Sequence, residues 1–128
     1  MPGYSTNIES DTLANENFRQ VLFTGAHSQL VLMTLQPGDE IGTETHDDRD
    51  QFFRIEAGTG EAIVAGETFP LSDGVVVVVP AGAEHNVVNT SAAEPLRLYS
   101  IYSPPEHPDG TVHKTKAEAD AAEKLHHG

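Results

Sequence analysis

The chain has 128 residues, enough for one domain that buries roughly two-thirds of the surface its unfolded form would expose. Seven Lys and Arg stand against twenty Asp and Glu, and the resulting net charge of −13 repels phosphate backbones and anionic lipid surfaces. We therefore expect no nucleic acid and no membrane partner. Cysteine is absent, so disulfides, a thiolate nucleophile and Cys-type zinc sites are excluded, and any metal must use nitrogen and oxygen ligands.

The start of the chain gives no targeting signal. MPGYSTNIES has neither a basic segment nor an apolar one, and no apolar run reaches the ~18–20 residues of a membrane span. A cytoplasmic location is therefore expected. Residues 1–17 are polar and weakly patterned, which predicts an N-terminal arm with at most a short turn near SDTLANE.

From residue 18 the sequence changes to short apolar or alternating runs, separated by Gly, Pro, Asp and Asn. These runs predict eight strands near residues 18–24, 28–35, 41–47, 51–57, 60–65, 75–79, 85–89 and 96–102. No helical pattern separates them, so residues 18–103 favour an antiparallel sandwich or barrel. The run VVVVV is apolar on both faces, which indicates that its outer face is covered by a second subunit or by the arm and tail. A homodimer is the expected assembly.

Residues 104–128 form a tail of different composition. The stretch YSPPEHPDG, residues 102–110, leads into this tail, is rich in proline and predicts an extended segment. Thr115 and Glu118 match a capping box that opens a helix over roughly 116–126. The apolar side of this helix is mostly alanine, so it needs a docking surface on the barrel or on a second subunit.

The stretch ETHDDRDQ, residues 44–51, contains candidate ligands. Alternation along a strand places residues i and i+2 on one face, so Glu44 and His46 are expected to point the same way. A hairpin connection brings Gln51, at the start of the next strand, beside that pair. His85 begins a later strand after a tight turn, and it supplies a fourth ligand if that strand closes the same barrel.

Two imidazoles, one carboxylate and one amide oxygen suit Fe(II), Mn(II), Ni(II), Co(II) or Zn(II). Two His and one carboxylate also match the facial triad that leaves positions open for substrate or dioxygen. We therefore predict a divalent transition metal held by Glu44, His46, Gln51 and His85. The alternatives are a site that has lost its metal and a polar network that only closes the core.

Two motifs resemble those of the cupin superfamily. The second cupin motif, G-x5-P-x-G-x2-H-x3-N, is matched at every fixed position, by Gly74, Pro80, Gly82, His85 and Asn89. The first, G-x5-H-x-H-x3,4-E-x6-G, aligns with Gly38, Glu44, His46, Gln51 and Gly58. The resemblance spans about residues 30–102. It implies an antiparallel jelly-roll β-barrel with the metal site inside its mouth.

The chain departs from the first motif at two positions. Glu44 stands where the general motif has its first His, and Gln51 stands where it has Glu, so the ligand charge stays at about −1. Asp50 satisfies a looser spacing, but the six-residue interval to Gly58 selects Gln51, and alternation turns Asp50 away from the cavity. The remaining residues of the stretch are expected to form a solvated loop: Asp47, Asp48, Arg49 and Asp50.

Other side chains are assigned by alternation and chain order. Phe53 and Ile55 share the face of Gln51 and are expected to line the cavity, whereas Arg54 and Glu56 are expected to face outward. Three further residues, Tyr102, His107 and His113, are weaker candidates for the substrate pocket.

The remaining histidines receive simpler interpretations. The loop flanked by His107 and His113 is either a flap over the barrel mouth or a surface loop. His27 lies in a turn and is expected to be solvated, and His126 and His127 are assigned no role.

The predicted function is that of a metal-dependent enzyme acting on a small organic molecule in the barrel mouth. A dioxygenase-like reaction is preferred, and isomerase or lyase chemistry on a sugar or sugar acid comes next. No general acid or base is identified. The alternative from another class is a cupin that binds or senses a small molecule without turnover.

Overall fold

The computed structural model describes the backbone of residues 2–127 and the side chains of residues 2–123. In this part of the chain the elements follow the order α1 (Ile8–Ala14), β1 (Arg19–Thr24), β2 (Gln29–Leu35), β3 (Asp50–Ala57), β4 (Gly60–Val64), β5 (Glu67–Leu71), β6 (Val76–Val79), β7 (His85–Asn89), β8 (Leu96–Ser103), β9 (Val112–His113) and α2 (Lys116–His127). None of the helices described here is both long and apolar enough to cross a bilayer.

The strands form two antiparallel sheets. A six-stranded sheet has the order β6-β3-β8-β2-β1-β9, and a three-stranded sheet has the order β5-β4-β7. Side chains from both sheets meet in one core, which includes Met33 and Phe53 from the large sheet and Ala62 and Val87 from the small one. The expected all-β jelly roll with a short C-terminal helix is confirmed, but the sheets do not close into a continuous barrel.

The strand predicted over residues 41–47 is absent as a regular element. The segment touches β7 through isolated bridges, Glu40 to Val88 and Glu44 to His85. Gly42 explains the irregularity, because its φ of 108° is outside the range of a strand. Its N–H also donates to the side chain of Asn86 at 2.9 Å instead of continuing the ladder.

Two strands were missed by the pattern of apolar residues. β5, with the sequence ETFPL, contains Pro70, which is tolerated because β5 lies at the edge of its sheet. β9 has two residues and pairs Arg19 with His113 and Gln20 with Val112.

Both helices pack on the sheets. α1 is longer than the expected turn. Asn7 caps its start, because the Asn7 side chain accepts from the N–H of Ser10. The helix lies against β2, β3 and β8. α2 matches its predicted range. Its first turn is capped by Thr115, which accepts from the N–H of Glu118 at 3.1 Å. Ala119 is buried in the core, so α2 docks on its own chain.

The outer face of β6 is not covered by the arm or the tail in the described residues. Val77 and Val79 point into the core, whereas Val76 and Val78 are 44% and 59% exposed. β6 is also an edge strand of the large sheet. The homodimer stays a prediction.

Gly58, at the end of β3, occupies a position that excludes a side chain. Its φ is 95°, and an added Cβ would lie 2.4 Å from the carbonyl oxygen of Pro95. Gly38 also has positive φ, at 79°, but an added Cβ there meets nothing within 4 Å. A side chain would therefore cause backbone strain at both positions but steric overlap only at Gly58.

Replacing Gly58 with alanine is expected to lower the free energy of unfolding by about 2–5 kcal/mol, since overlap with Pro95 adds to the strain of positive φ. Gly38→Ala is the matched control and is expected to lose about 1–2 kcal/mol, from the backbone term alone. Urea denaturation measures both values. Equal losses in the two variants would contradict the steric role of Gly58.

Candidate functional site

A backbone bridge brings Glu44 beside His85. The N–H of Glu44 donates to the carbonyl of His85, and the N–H of His85 donates to the carbonyl of Glu44, each at 2.9 Å. Residues paired directly across two antiparallel segments present their side chains on the same face. The bridge therefore joins a residue of the first cupin-like motif to the histidine of the second.

The turn of the second motif also fixes the first motif. The N–H of Gly82 donates to the carbonyl of His46 at 2.9 Å. The N–H of Ala81 donates to the carboxylate of Asp50 at 2.9 Å. Asp50 points away from the cavity, as expected, and its carboxylate caps the turn that precedes His85.

His46 is held by carboxylates on both sides of its ring. Its Nε2 lies 3.2 Å from Oε2 of Glu44, and its Nδ1 lies 3.3 Å from Oε2 of Glu106. The hydrogen bond to Glu44 raises the pKa of His46, and the charge of Glu106 raises it further, against the opposing effect of burial. The ring plane is thereby fixed in the mouth between the sheets.

Gln51 is buried at the start of β3. Its Nε2 donates to the hydroxyl of Tyr102 at 3.3 Å and lies 3.4 Å from the hydroxyl of Ser100. Among the side chains described, its Oε1 is buried without a hydrogen-bond partner. A buried amide oxygen without a partner is costly, so this atom is suited to a ligand.

His85 is buried and has a defined tautomer. Its Nδ1 lies 3.0 Å from the carbonyl of Ala83, and because a carbonyl only accepts, Nδ1 carries the proton. In a neutral imidazole held in this way the lone pair is on Nε2, the form of histidine that binds metals. The ring centroids of His85 and His46 are 5.3 Å apart.

The donor set agrees with a divalent ion in its chemistry. Neighbouring ligands that each lie about 2.1 Å from one ion are separated by roughly 3.0–3.4 Å. The Glu44 oxygen and the His46 nitrogen are separated by 3.2 Å. The lone pair of His85 and the unpartnered oxygen of Gln51 are the other donors expected from the sequence.

The same side chains do not all converge. Across residues 2–123, no three His, Asp or Glu side chains lie close enough together to form a metal-binding group. The structure places Glu44 against His46 and His46 beside His85, with Gln51 linked to this cluster through Tyr102. The assignment of all four as ligands therefore stays a prediction.

Arg49 was expected to be solvated, and this expectation is wrong. Its Nη1 lies 2.8 Å from the Glu106 carboxylate and donates to the carbonyl of Pro105 at 2.6 Å. The side chain is 19% exposed. A hydrogen bond to Asp48, aided by the charge of Glu106, raises the pKa of Arg49 further. Arg49 and His46 thus share one carboxylate, which comes from the tail.

Glu106 is a site residue that sequence reasoning did not identify. It lies in the proline-rich segment after β8, and its contact with His46 joins positions far apart in the chain. No spacing rule connects this segment to the first motif. The only local signal was the unexplained polarity of PEHPDG.

Gln29, at the start of β2, fixes the tail segment over the mouth. Its buried side chain accepts from the N–H of Glu106 at 3.1 Å and from the N–H of His107 at 2.9 Å. It also donates to the carbonyl of His107 at 2.7 Å. Three hydrogen bonds from one buried side chain therefore fix the backbone of residues 106 and 107.

The weaker pocket candidates occupy different places. Phe53 is fully buried in the core, and Tyr102 lies at the mouth with its ring centroid 6.2 Å from that of His46. His107 packs edge-on against Tyr102 at 5.3 Å, whereas His113 lies on β9 beside Arg19. Glu56, expected to face outward, is buried, and its carboxylate pairs with Arg54 at 2.8 Å.

Burial controls the protonation of the groups near the mouth. It raises the pKa of the Tyr102 phenol, which remains protonated at neutral pH. Burial, aided by the charge of Arg19, lowers the pKa of His107 to about 3, so this imidazole is neutral. His27 is exposed in its turn, as expected, and the side chains of His126 and His127 lie outside the described residues.

The chain belongs to the cupin family. The model of the cupin domain family matches residues 31–102, which contain all four predicted ligands. The fold and the two spaced motifs agree with this membership, so the resemblance inferred from the sequence is confirmed.

Two proteins are similar to this chain over most of its length. An uncharacterized protein of Bacillus subtilis, YrkC, is 48% identical over 126 residues, which is 94% of this chain and 67% of that protein. The crystal structure of BH2720 from Bacillus halodurans superposes with a TM-score of 0.91 at 44% identity, and the match covers 94% of this chain and 95% of the other.

A more distant structure shares only the fold. It is described as a predicted oxalate decarboxylase from Thermotoga maritima, and it superposes with a TM-score of 0.57 at 23% identity. The match covers 60% of this chain and 66% of that chain.

Replacing Gln29 with alanine is expected to release the tail segment. The amides of Glu106 and His107 lose their acceptor, and their hydrogen exchange should accelerate about tenfold or more, the equivalent of about 1.4 kcal/mol. Hydrogen exchange resolved by residue measures this effect.

Gln20→Ala on the neighbouring strand is the control, because the side chain of Gln20 contacts Asn17 rather than residues 106 and 107. Unchanged protection of residues 106 and 107 in the Gln29 variant would contradict the role of Gln29.

Proposed function

We propose that the chain is a metal-binding cupin that acts on a small organic molecule in the mouth between its sheets, with dioxygenase-like chemistry preferred. The observation that carries this proposal is the contact between Glu44 and His46 at 3.2 Å, with the ring centroid of His85 5.3 Å from that of His46. The buried, unpartnered oxygen of Gln51, which is linked to this group through Tyr102, supports it. Membership of the cupin family supports it. A polar network that only closed a core would satisfy that oxygen internally.

Glu44, His46, Gln51 and His85 would hold the ion. A divalent ion bound there, Fe, Mn, Ni, Co or Zn, would supply a Lewis acid or a centre for dioxygen activation. Glu106 orients the His46 ring through Nδ1, and the Ala83 carbonyl orients His85 in the same way. Such outer hydrogen bonds set ligand direction and basicity.

The protonation of nearby groups favours one class of chemistry over another. A general acid or base works best with a pKa near the operating pH. The pKa of Tyr102 is raised and that of His107 is lowered to about 3, so neither is suited to shuttling protons at neutral pH. Isomerisation requires such a shuttle, whereas binding and dioxygen chemistry at an ion place less demand on it.

The phenol of Tyr102 has a role that does not require titration. Its oxygen accepts from Nε2 of Gln51, and its own proton remains available for donation. A protonated phenol 6.2 Å from the His46 ring, centroid to centroid, can orient an oxygen atom of a small molecule. The buried surroundings strengthen that hydrogen bond.

The second candidate is a cupin that binds or senses a small molecule without turnover. It is favoured by the tail segment, which Gln29 and Arg49 hold over the mouth. A closed mouth restricts exchange of substrate and product. Turnover measurements discriminate between the two candidates.

His85→Ala is expected to reduce metal affinity by a factor of about 10–100 or more, because a ligand is removed while the sheets stay intact. His27→Ala is the matched control, an exposed histidine that belongs to neither motif. Metal content after dialysis against Fe(II), Mn(II) or Zn(II) is measured by elemental analysis, and circular dichroism checks folding. Full metal content in the His85 variant would contradict its role as a ligand.

Oxygen uptake tests the reaction class. The Fe(II)-loaded protein, offered a panel of small carbonyl and phenolic compounds, is expected to consume dioxygen with at least one of them. His85→Ala should lose this activity about 100-fold or more, whereas His27→Ala should retain it. A protein that carries zinc and consumes no dioxygen with any compound of the panel would contradict the dioxygenase assignment.

A further inference from the structure

Arg19 is a buried cation without an acidic partner among the described side chains. The residue is 3% exposed on β1, and none of the ion pairs found among the described side chains involves it. Its Nη1 donates to Nδ1 of His113 at 3.3 Å, and its Nε is buried without a partner. The other arginines, Arg49, Arg54 and Arg97, all pair with carboxylates.

This arrangement is unfavourable unless something else meets the charge. A buried charge costs several kcal/mol when it lacks a counter-charge and hydrogen bonds. His113 is a neutral acceptor, because burial and the nearby Arg19 lower its pKa, and it satisfies only one of the five guanidinium N–H groups. The stacking of the guanidinium over Phe18, 5.4 Å from the ring centroid, recovers a small part of the cost.

A cavity lies beside this guanidinium. It has a volume of about 90 Å³, and its lining includes Arg19, His107, His113 and Glu123. His107 brings a second buried nitrogen without a hydrogen-bond partner among the described residues, its Nε2. Two unsatisfied nitrogens thus belong to residues that line one cavity, and both lie outside the predicted ligand set.

We propose that this cavity binds a small carboxylate anion, held by the guanidinium of Arg19 and by Nε2–H of His107. A planar carboxylate matches the fork of a guanidinium. The volume suits an anion of acetate size, since it equals that of a few water molecules. The carboxylate of Glu123 and the net charge of −13 select against anions of higher charge.

The state of His107 is compatible with this role. Its low pKa keeps the imidazole neutral at neutral pH, and a neutral imidazole has one N–H to donate. Its backbone is fixed by Gln29 and its ring by Tyr102, so the donor is preorganised. Because no predicted metal ligand lines the cavity, binding there is independent of metal.

Nuclear magnetic resonance on the full ¹⁵N-labelled chain tests the site. Sodium acetate is titrated against sodium chloride at equal ionic strength. The Nε–Hε resonance of Arg19 and the amide of His113 are expected to shift with saturation at millimolar acetate, about −4 kcal/mol at 1 mM. The Nε–Hε resonance of Arg54, which already pairs with Glu56, is the internal control.

Two variants and one control variant sharpen the result. Arg19→Gln is expected to abolish saturation, and Glu123→Gln is expected to tighten binding roughly two- to fivefold by removing a like charge at the rim. Asp120→Asn, on the same helix but paired with Lys116, should leave the affinity unchanged.

If Arg19→Gln does not fold, the wild-type titration and the Glu123 variant decide the question. The absence of saturation up to about 100 mM acetate in the wild type would overturn the proposal. An affinity that is unchanged in a folded Arg19→Gln variant or in Glu123→Gln would also overturn it.

Discussion

The candidate site depends on the backbone pairing of its two motifs. Glu44 and His85 exchange reciprocal hydrogen bonds, and Gly82 donates to the carbonyl of His46. These bonds set where the side chains begin, and the carboxylates of Glu44 and Glu106 then fix the His46 ring. Since a regular strand is absent between residues 41 and 47, no sheet ladder does this work. The spacing within each motif therefore sets the length of chain that brings residues 44 and 46 to the turn before His85.

Alternation predicted the parts of the site that lie on regular strands. β3 and β8 each alternate between buried and less buried positions, so the inward direction of Gln51 follows from its strand alone. Tyr102 was only a weaker pocket candidate, because both faces of LRLYSIY are apolar in part. Glu44 and His46 are neighbours as predicted, although the assumed reason was wrong. The bend at Gly42 replaces the strand, and the bridge to His85 restores the shared face.

The tail contacts could not be predicted from local patterns. Gln29 and Glu106 are 77 residues apart, and the bond between them follows only from the path of the completed fold. Arg49 was interpreted by its acidic neighbours, which are exposed, whereas its own side chain reaches the tail. Long polar side chains extend far enough to leave the environment of their backbone. Sequence composition and motif spacing therefore predict where a backbone segment lies better than they predict which residues its side chains contact.

His107 links the mouth to the cavity beside Arg19. Its ring contacts Tyr102, and the same residue lines that cavity, while Gln29 holds both its N–H and its carbonyl. One glutamine therefore sets the position of a wall shared by two polar regions. Because packed side chains have few alternative arrangements, a shift of His107 would change the surroundings of both Tyr102 and the cavity beside Arg19. The tail of this cupin thus contributes to both regions, since Glu106 contacts His46 and His107 lines the neighbouring cavity.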